Sequence, residues 1–268
     1  MVLSQNSEVE RDSYDYRGLI ASTWDLWRND TANWSDRNLF LELVREYGEP
    51  VLDLGCGTGR ILLDFLKLGI DIDGVDNSPE MLAIARSKAD VEGLNATLLQ
   101  RSLPEVDLQR QYRTILAPSS LLQLMTSEED ALLLIRNLFV ALEPGGVLAG
   151  SFAFEWREGD PLDTGWEFLF ERTRPEDGAT VKSWVREWRE PARRIWHTEQ
   201  KFEVTLGGKV VHTEHQTRSP EGRTYSQEQA TTLFESAGFV DIELFHEFTR
   251  EPVREEDRLF VGMGHRKP

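Results

Sequence analysis

Val51-Leu52-Asp53-Leu54-Gly55-Cys56-Gly57-Thr58-Gly59-Arg60 is the stretch of this chain that decides its fold. It begins with the apolar pattern of a buried strand, continues with three glycines at alternating positions, and leads into an apolar helical segment. Glycine allows a tight turn and lets a ligand approach where a Cβ would collide, and the N-terminus of the following helix offers unpaired backbone amides. The stretch therefore predicts a loop that binds a nucleoside.

The spacing of these glycines differs from that of the dinucleotide fingerprint G-x-G-x-x-G. That fingerprint would require a glycine at position 60, where this chain has Arg60. The observed pattern is Asp-x-Gly-x-Gly-x-Gly, which favours a nucleoside without a pyrophosphate.

A second short strand over residues 70–76 ends in another carboxylate, Asp76, at the spacing of a βαβ unit. A carboxylate at this position can accept hydrogen bonds from both hydroxyls of a ribose, in either class of nucleoside cofactor. Ser78 and Pro79 follow as a helix N-cap and a first helical residue.

The segments VLDLGCGTGR (51–60) and GVDNSPEMLAIAR (74–86) resemble the first two motifs of the class I S-adenosylmethionine-dependent methyltransferases. Residues 112–120 and 142–148 resemble the fourth strand of that family and the turn into its fifth strand. The resemblance is close over residues 45–152 and looser over 224–266. It implies an α/β fold with a Rossmann-like, mostly parallel seven-stranded sheet and helices on both faces.

The resemblance also implies that S-adenosyl-L-methionine is the cofactor and which residues hold it. Asp53 and the loop glycines would hold the methionine part, Asp76 the ribose, and Asn77 and Met81 the two faces of the adenine. Ser102 stands where many relatives have an acidic residue that accepts from the adenine amino group. The complete set of predicted cofactor-binding residues is Tyr16, Trp27, Asp53, Gly55, Cys56, Gly57, Gly59, Asp76, Asn77, Met81, Ser102, Leu103 and Pro118.

The change of pattern along the chain predicts three regions. Residues 1–47 form an N-terminal helical cap, and residues 48–152 and 223–268 form the cofactor-binding core. Residues 153–222 form an antiparallel β insertion that covers the acceptor pocket. Within the insertion, residues 195–206 alternate: Trp196 and Leu206 share the buried side, and His197 lies on the wet side.

Composition narrows the function classes. The formal net charge of −17 repels polyanions, so we expect a small-molecule partner and no nucleic acid. The chain has no apolar run near the roughly 20 residues of a membrane helix and no signal-peptide pattern, so we expect no membrane partner and a cytoplasmic location. Cys56 is the single cysteine, which excludes an internal disulfide and a cysteine-rich zinc site, and we expect no metal.

These observations predict a methyltransferase that acts on a nitrogen or oxygen of a small molecule. The alternatives are an NAD-dependent oxidoreductase with a similar strand-loop-helix unit and a non-catalytic module that binds S-adenosylmethionine. No catalytic residue and no oligomeric state are assigned from the sequence. The candidate bases are the histidines His197, His212, His215 and His246, for which surface or packing positions are the stronger interpretation. Trp184, Trp188 and Trp196 are predicted to form the core of the insertion.

Overall fold

The computed structural model of the chain describes residues 16–28, 35–153, 155–216 and 221–268. Residues 1–15 and 29–34 of the predicted N-terminal cap lie outside the described residues. The helices are α1 (Gly18–Trp27), α2 (Ser35–Tyr47), α3 (Arg60–Lys67), α4 (Pro79–Glu92), α5 (Glu128–Ala141) and α6 (Gln227–Ser236). The strands are β1 (Val51–Leu54), β2 (Ile72–Asp76), β3 (Thr97–Gln100), β4 (Tyr112–Ala117), β5 (Leu142–Phe152), β6 (Glu167–Thr173), β7 (Thr180–Glu190), β8 (Ile195–Leu206), β9 (Lys209–Gln216), β10 (Gly222–Arg223), β11 (Val240–His246) and β12 (Phe260–His265).

The larger sheet has seven strands in the order β11-β12-β5-β4-β1-β2-β3. β1 pairs in parallel with both β2 and β4, whereas β12 runs antiparallel to β5 and β11. This arrangement confirms the predicted mostly parallel, Rossmann-like sheet. Because the strand order reverses beside β1, the carboxyl ends of β1, β2 and β4 open a crevice where α/β proteins bind ligands.

Local sequence signals fix the helices around this crevice. The Ser78 hydroxyl accepts a hydrogen bond from the Met81 amide at 3.1 Å and caps α4, with Pro79 as its first residue. Ser226 and Gln229 form a complete capping box at the start of α6. The first residues of α4 and α6 are therefore set by hydrogen bonds between residues that are close together in the sequence.

The core has apolar layers on both faces of the seven-stranded sheet. Leu52 and Leu54 of β1 pack into one layer with Phe234 of α6, and Val51 packs into the other with Phe65 of α3. All four residues of β1 are buried, as expected for a central parallel strand covered on both sides. The loop that follows β1 is thus attached to a fully buried strand at the centre of the sheet.

A second, antiparallel sheet contains β10, β8, β7 and β6 in that order, with β9 paired to β8. The predicted alternation along β8 holds for Trp196 but is wrong at both ends. His197 is buried because its ring stacks on Trp188 at 4.8 Å and bonds Glu190 at 2.7 Å. Leu206 is 45% exposed because it lies at the strand end, next to the Gly207–Gly208 turn.

Helix α1 lies against both the core and the second sheet. Its first amides are capped by carboxylates from distant elements: Glu80 of α4 accepts from the Gly18 amide at 2.7 Å, and Glu214 of β9 accepts from the Leu19 amide at 3.0 Å. Asp25, on the same helix, accepts from the Thr58 hydroxyl at 2.7 Å. The helix is therefore tied to the glycine loop, to α4 and to the second sheet. Within the described ranges, no helix combines the length and the apolar character needed to cross a membrane.

Candidate functional site

A cavity of about 220 Å³ lies at the carboxyl ends of β1, β2 and β4, under α1. The predicted residues that line it are Tyr16, Asp53, Gly55, Cys56, Gly57, Asp76, Asn77, Met81, Leu103 and Pro118. Lining residues that the sequence analysis did not single out include Trp24, Arg28, Thr58, Arg60, Arg101, Ser119 and Met125. The structure thus brings together residues from five separate segments of the chain at the crevice.

Asp53 is the most deeply buried charged group of this cavity, with 1% of its surface exposed. Its Oδ2 accepts a hydrogen bond from the Leu62 amide at 3.1 Å, and its Oδ1 is buried without a hydrogen-bond partner among the described residues. Burial raises the pKa of Asp53 to about 7, although the positive charge of Arg60 opposes this shift. A ligand cation or donor at Oδ1 would satisfy this carboxylate.

Asp76 organises the loop as well as facing the cavity. Its Oδ2 accepts from the Gly57 amide at 2.9 Å, and its Oδ1 accepts from the Ser78 amide at 2.8 Å. Burial raises the pKa of Asp76, and these backbone hydrogen bonds work against the rise. Each carboxylate oxygen has two lone pairs, so both can still accept from a ligand hydroxyl.

The glycines of the loop have different reasons for being glycine. Gly57 has φ of +53°, and a Cβ there would enter the open space of the cavity, with only the Gly55 carbonyl oxygen 4.0 Å away. Gly59 has φ of +86°, and its Cβ would lie 2.8 Å from Leu63 Cγ. Gly59 does not line the cavity, so its requirement is close packing against α3 rather than the approach of a ligand.

Ser102 is exposed and does not line the cavity, whereas its neighbours Arg101 and Leu103 do. The chain alternates direction after β3, so two residues turn inward and the one between them turns outward. Arg101 Nη1 donates to the Gln100 carbonyl at 2.8 Å, which holds its side chain beside the cavity. The geometry thus gives Ser102 no direct position against a ligand.

The roof of the cavity is formed by Tyr16, Trp24 and Arg28 of α1 and its flanks. The Arg28 guanidinium carbon lies 4.1 Å from the ring centroid of Trp24 and 4.2 Å from that of Trp27. Burial lowers the pKa of Arg28 to about 10, so the side chain is positively charged at neutral pH. The sequence analysis predicted Tyr16 in this region but not Trp24 or Arg28.

A second cavity of about 230 Å³ lies between α1 and the inner face of the second sheet. It shares Tyr16, Trp24, Arg28, Ser119 and Leu124 with the first cavity, so the two adjoin. Trp27 lines only this second cavity, which is a correction to its predicted place beside the cofactor. The remaining lining residues are Ile20, Thr23, Ser120, Leu169, Phe170, Val185, Glu187, Trp196, Thr198, Gln200 and Phe202.

The polar residues on the sheet side of this cavity can be recognised in the sequence, because they interrupt an apolar strand face. Thr198 and Gln200 interrupt the apolar face of β8 that carries Trp196 and Phe202, and Glu187 follows Val185 on the facing strand. Polar side chains on a face that is otherwise buried indicate either a hydrogen-bonded network or a ligand cavity. The sequence analysis treated this face as core alone.

No histidine lines either cavity among the residues that the structure describes. His246 bonds Asp257 at 2.8 Å in the loop after β11, and His215 lies 3.3 Å from Glu199 on β8. The described residues also contain no group of three or more metal-ligating side chains that could hold an ion. The interpretation of the histidines as surface or packing residues therefore agrees with their positions.

Comparison with known proteins shows which proteins this chain resembles. Residues 51–146 match the protein family described as a methyltransferase domain. A protein of Geobacillus sp. (strain WCH70) described as a methyltransferase is 23% identical over 246 residues, which is 90% of this chain and 96% of that protein. Several further curated methyltransferases match over only 38–40% of their own length.

Solved structures show the same fold over nearly the whole chain. The sugar N-methyltransferase KedS8 from Streptoalloteichus sp. is 20% identical, with a TM-score of 0.72 over 96% of this chain and 97% of that one. The amino pentose methyltransferase CalS10 from Micromonospora echinaspora, solved with S-adenosylmethionine bound, is 18% identical, with a TM-score of 0.66 over 94% and 98%. Residues 51–146, from β1 into β5, thus match a methyltransferase-domain family, and the chain shares the fold of solved S-adenosylmethionine-dependent methyltransferases over nearly its whole length.

Proposed function

We propose that this enzyme transfers a methyl group from S-adenosylmethionine to a nitrogen of a small-molecule acceptor, with oxygen as the alternative target. The observation that carries the proposal is the pair of adjoining cavities that share Tyr16, Trp24 and Arg28. The first has the polar groups for the cofactor, and the second has the size and aromatic walls for a small molecule.

The residues of the first cavity fit the cofactor. The unpartnered Oδ1 of Asp53 suits the cofactor's ammonium group, and Asp76 suits the ribose hydroxyls. The open space at Gly57 is the approach that a side chain would block. We propose that the other lining residues predicted from sequence complete this site, and that Gly59 and Ser102 act on it only through the backbone.

The chemistry requires alignment more than it requires catalytic side chains. When bound, the cofactor supplies a sulfonium methyl: the acceptor lone pair forms the new bond to carbon while the carbon–sulfur electron pair leaves to sulfur. The roof residues Tyr16 and Trp24 exclude water and hold the reacting groups between the two cavities. The proton that leaves the methylated nitrogen passes to solvent.

The described lining of the second cavity contains no histidine, and its one carboxylate, Glu187, is paired with Arg189, which supports nitrogen as the target. A neutral amine already has a nucleophilic lone pair, whereas an alcohol needs a base to remove its proton. The structural neighbours KedS8 and CalS10, a sugar N-methyltransferase and an amino pentose methyltransferase, support the same choice.

The domain assignment forms part of this proposal: residues 48–152 and 223–268 bind the cofactor, and residues 153–222 provide the acceptor wall. The net charge of −17 supports a small-molecule acceptor rather than nucleic acid. A cytoplasmic location belongs to the proposal as well.

Isothermal titration with S-adenosylmethionine, S-adenosylhomocysteine and NADH in one buffer tests the cofactor. We expect micromolar binding of the two sulfur nucleosides and none of NADH. Transfer of a tritiated methyl group to a panel of small amines and alcohols then tests the target atom. Methylated alcohols would move the target to oxygen, and binding without any transfer would favour the non-catalytic module.

A further inference from the structure

The second cavity contains a carboxylate, that of Glu187, on a wall that combines apolar and aromatic side chains with a few polar ones. Among the described lining residues, Glu187 of β7 and Arg28 of α1 are the charged side chains. Glu187 faces Thr198 across the β7–β8 ladder, and Val185 faces Gln200 one step further along. The sheet side of the cavity therefore presents a short polar band bounded by Trp196 and Phe202.

The position of Glu187 is fixed by its neighbours. Arg189, two residues along β7 on the same face, donates from Nη2 to Glu187 Oε2 at 2.8 Å. The backbone is fixed as well, since the Glu187 amide donates to the Thr164 hydroxyl at 3.1 Å and the Thr164 amide donates to the Glu187 carbonyl at 2.9 Å. The carboxylate is thus held in one orientation before any acceptor arrives.

Stability does not explain this ion pair. The side chains of Arg189 and Glu187 are only 16% and 30% exposed, so the cost of removing both charges from water offsets most of their attraction. In addition, Arg189 Nη1 is buried without a hydrogen-bond partner. Glu187 itself lines the cavity, and the hydrogen bond from Arg189 occupies only its Oε2, so its Oε1 remains for a ligand.

We propose that Glu187 accepts a hydrogen bond from the amino group of the acceptor, which reacts as the neutral amine, so that the enzyme selects amines over their N-acetyl and carboxylate analogues. Arg189 engages Oε2 and leaves Oε1 for the acceptor. Glu187 is then a specificity-determining residue, and Arg189 is a positioning residue that acts through it. This inference rests on the proposed function and deepens it, because it names the residue that recognises the amino group of the acceptor.

The test uses the full chain, tritiated S-adenosylmethionine, and three matched sets of probes: amino hexoses, their N-acetyl derivatives and hexuronic acids. The variant Glu187→Gln keeps the shape of the side chain and removes its charge. Glu199→Gln is the matched control, since Glu199 lies on the opposite face of the same sheet and pairs with His215 at 3.3 Å. Titration with S-adenosylhomocysteine is run on every variant.

We expect the wild-type enzyme to methylate amino hexoses, and Glu187→Gln to raise their KM about tenfold or more, as for the loss of one charge-assisted hydrogen bond. The kcat should change less than about threefold, and Glu199→Gln should behave as wild type. Arg189→Met should raise KM in the same direction at unchanged kcat, and Arg189→Lys should restore part of the loss, a pattern that a purely structural role would not produce.

Equal KM values for Glu187→Gln and Glu199→Gln would overturn the inference and leave the proposed function intact. Turnover of N-acetyl or uronic acid probes in preference to amines, or no amine turnover by a protein that binds S-adenosylhomocysteine, would also overturn it. If the wild-type protein does not bind S-adenosylhomocysteine, that result would instead contradict the proposed function itself.

Discussion

Replacing Asp76 by Asn tests whether this carboxylate binds the cofactor's ribose or only orders the loop. Asn keeps one oxygen for the Gly57 and Ser78 amides, which now bond Asp76 at 2.9 and 2.8 Å, but it removes the negative charge. A hydrogen bond to a charged acceptor contributes about 1.5–3 kcal/mol, so the affinity for S-adenosylhomocysteine should fall about 10- to 150-fold.

A double-mutant cycle separates the two roles of Asp76. Binding of S-adenosylhomocysteine and of its 2′-deoxy analogue is measured by titration calorimetry for the wild type, for Asp76→Asn and for Ser78→Ala. Ser78→Ala is the control because it removes a hydroxyl that caps α4 and donates to the Tyr16 carbonyl at 2.6 Å, without a carboxylate at the ribose.

If Asp76 binds the ribose, the losses from Asp76→Asn and from the deoxy analogue overlap, with a coupling energy of about 1–2 kcal/mol. Ser78→Ala should show additive losses. Additive losses for Asp76→Asn would refute the reasoning, because they would mean that the carboxylate and the ribose hydroxyl do not meet.

Three further changes test other parts of the site. Gly57→Val should abolish binding of S-adenosylhomocysteine while circular dichroism shows a folded protein. Gly93→Val is the control and should bind normally, because Gly93 has a similar positive φ of +67° and no described atom lies within 4 Å of a Cβ there. Equal binding by both variants would contradict the place of Gly57 in the cofactor site. Burial raises the pKa of Asp53 to about 7, so between about pH 4 and pH 7 the folded state holds a proton that the unfolded chain has released. The free energy of unfolding without ligand should therefore fall as pH rises from 4 to 7, by up to about 1.4 kcal/mol per pH unit. Chemical denaturation of Asp53→Asn should show a flatter dependence on pH. Trp27→Ala should lower kcat/KM for the acceptor at least about tenfold, because of the two cavities Trp27 lines only the second. The affinity for S-adenosylhomocysteine should change by less than about twofold. A parallel loss of affinity for S-adenosylhomocysteine would mean that Trp27 also contributes to the first cavity.

The sequence predicted best where structure depends on short-range signals. β1 lies on the apolar pattern that begins at Val51, and the cap at Ser78 with Pro79 begins α4 as predicted. These features follow from glycine, proline and hydroxyl side chains acting within a few residues of one another. The mostly parallel seven-stranded sheet was implied by the resemblance of residues 51–60 and 74–86 to the methyltransferase motifs.

The sequence predicted least where position depends on pairing between distant strands. The burial of His197 depends on Trp188 across the β7–β8 ladder, and the role of Thr198 depends on facing Glu187. Which way Ser102 points depends on a loop without regular structure. Alternation along one strand shows that two faces exist, but the face that lines a cavity is decided by the element packed above it.

Helix α1 is a wall of both cavities, and carboxylates from the core and from the second sheet cap its first turn. A displacement of this helix large enough to release the cofactor would also open the acceptor side. We therefore expect exchange of the two ligands to be kinetically linked through one opening step. Neither product should dissociate while the cavity of the other product remains closed. In steady-state terms, such an enzyme follows a sequential mechanism in which one conformational step sets the pace of both product releases.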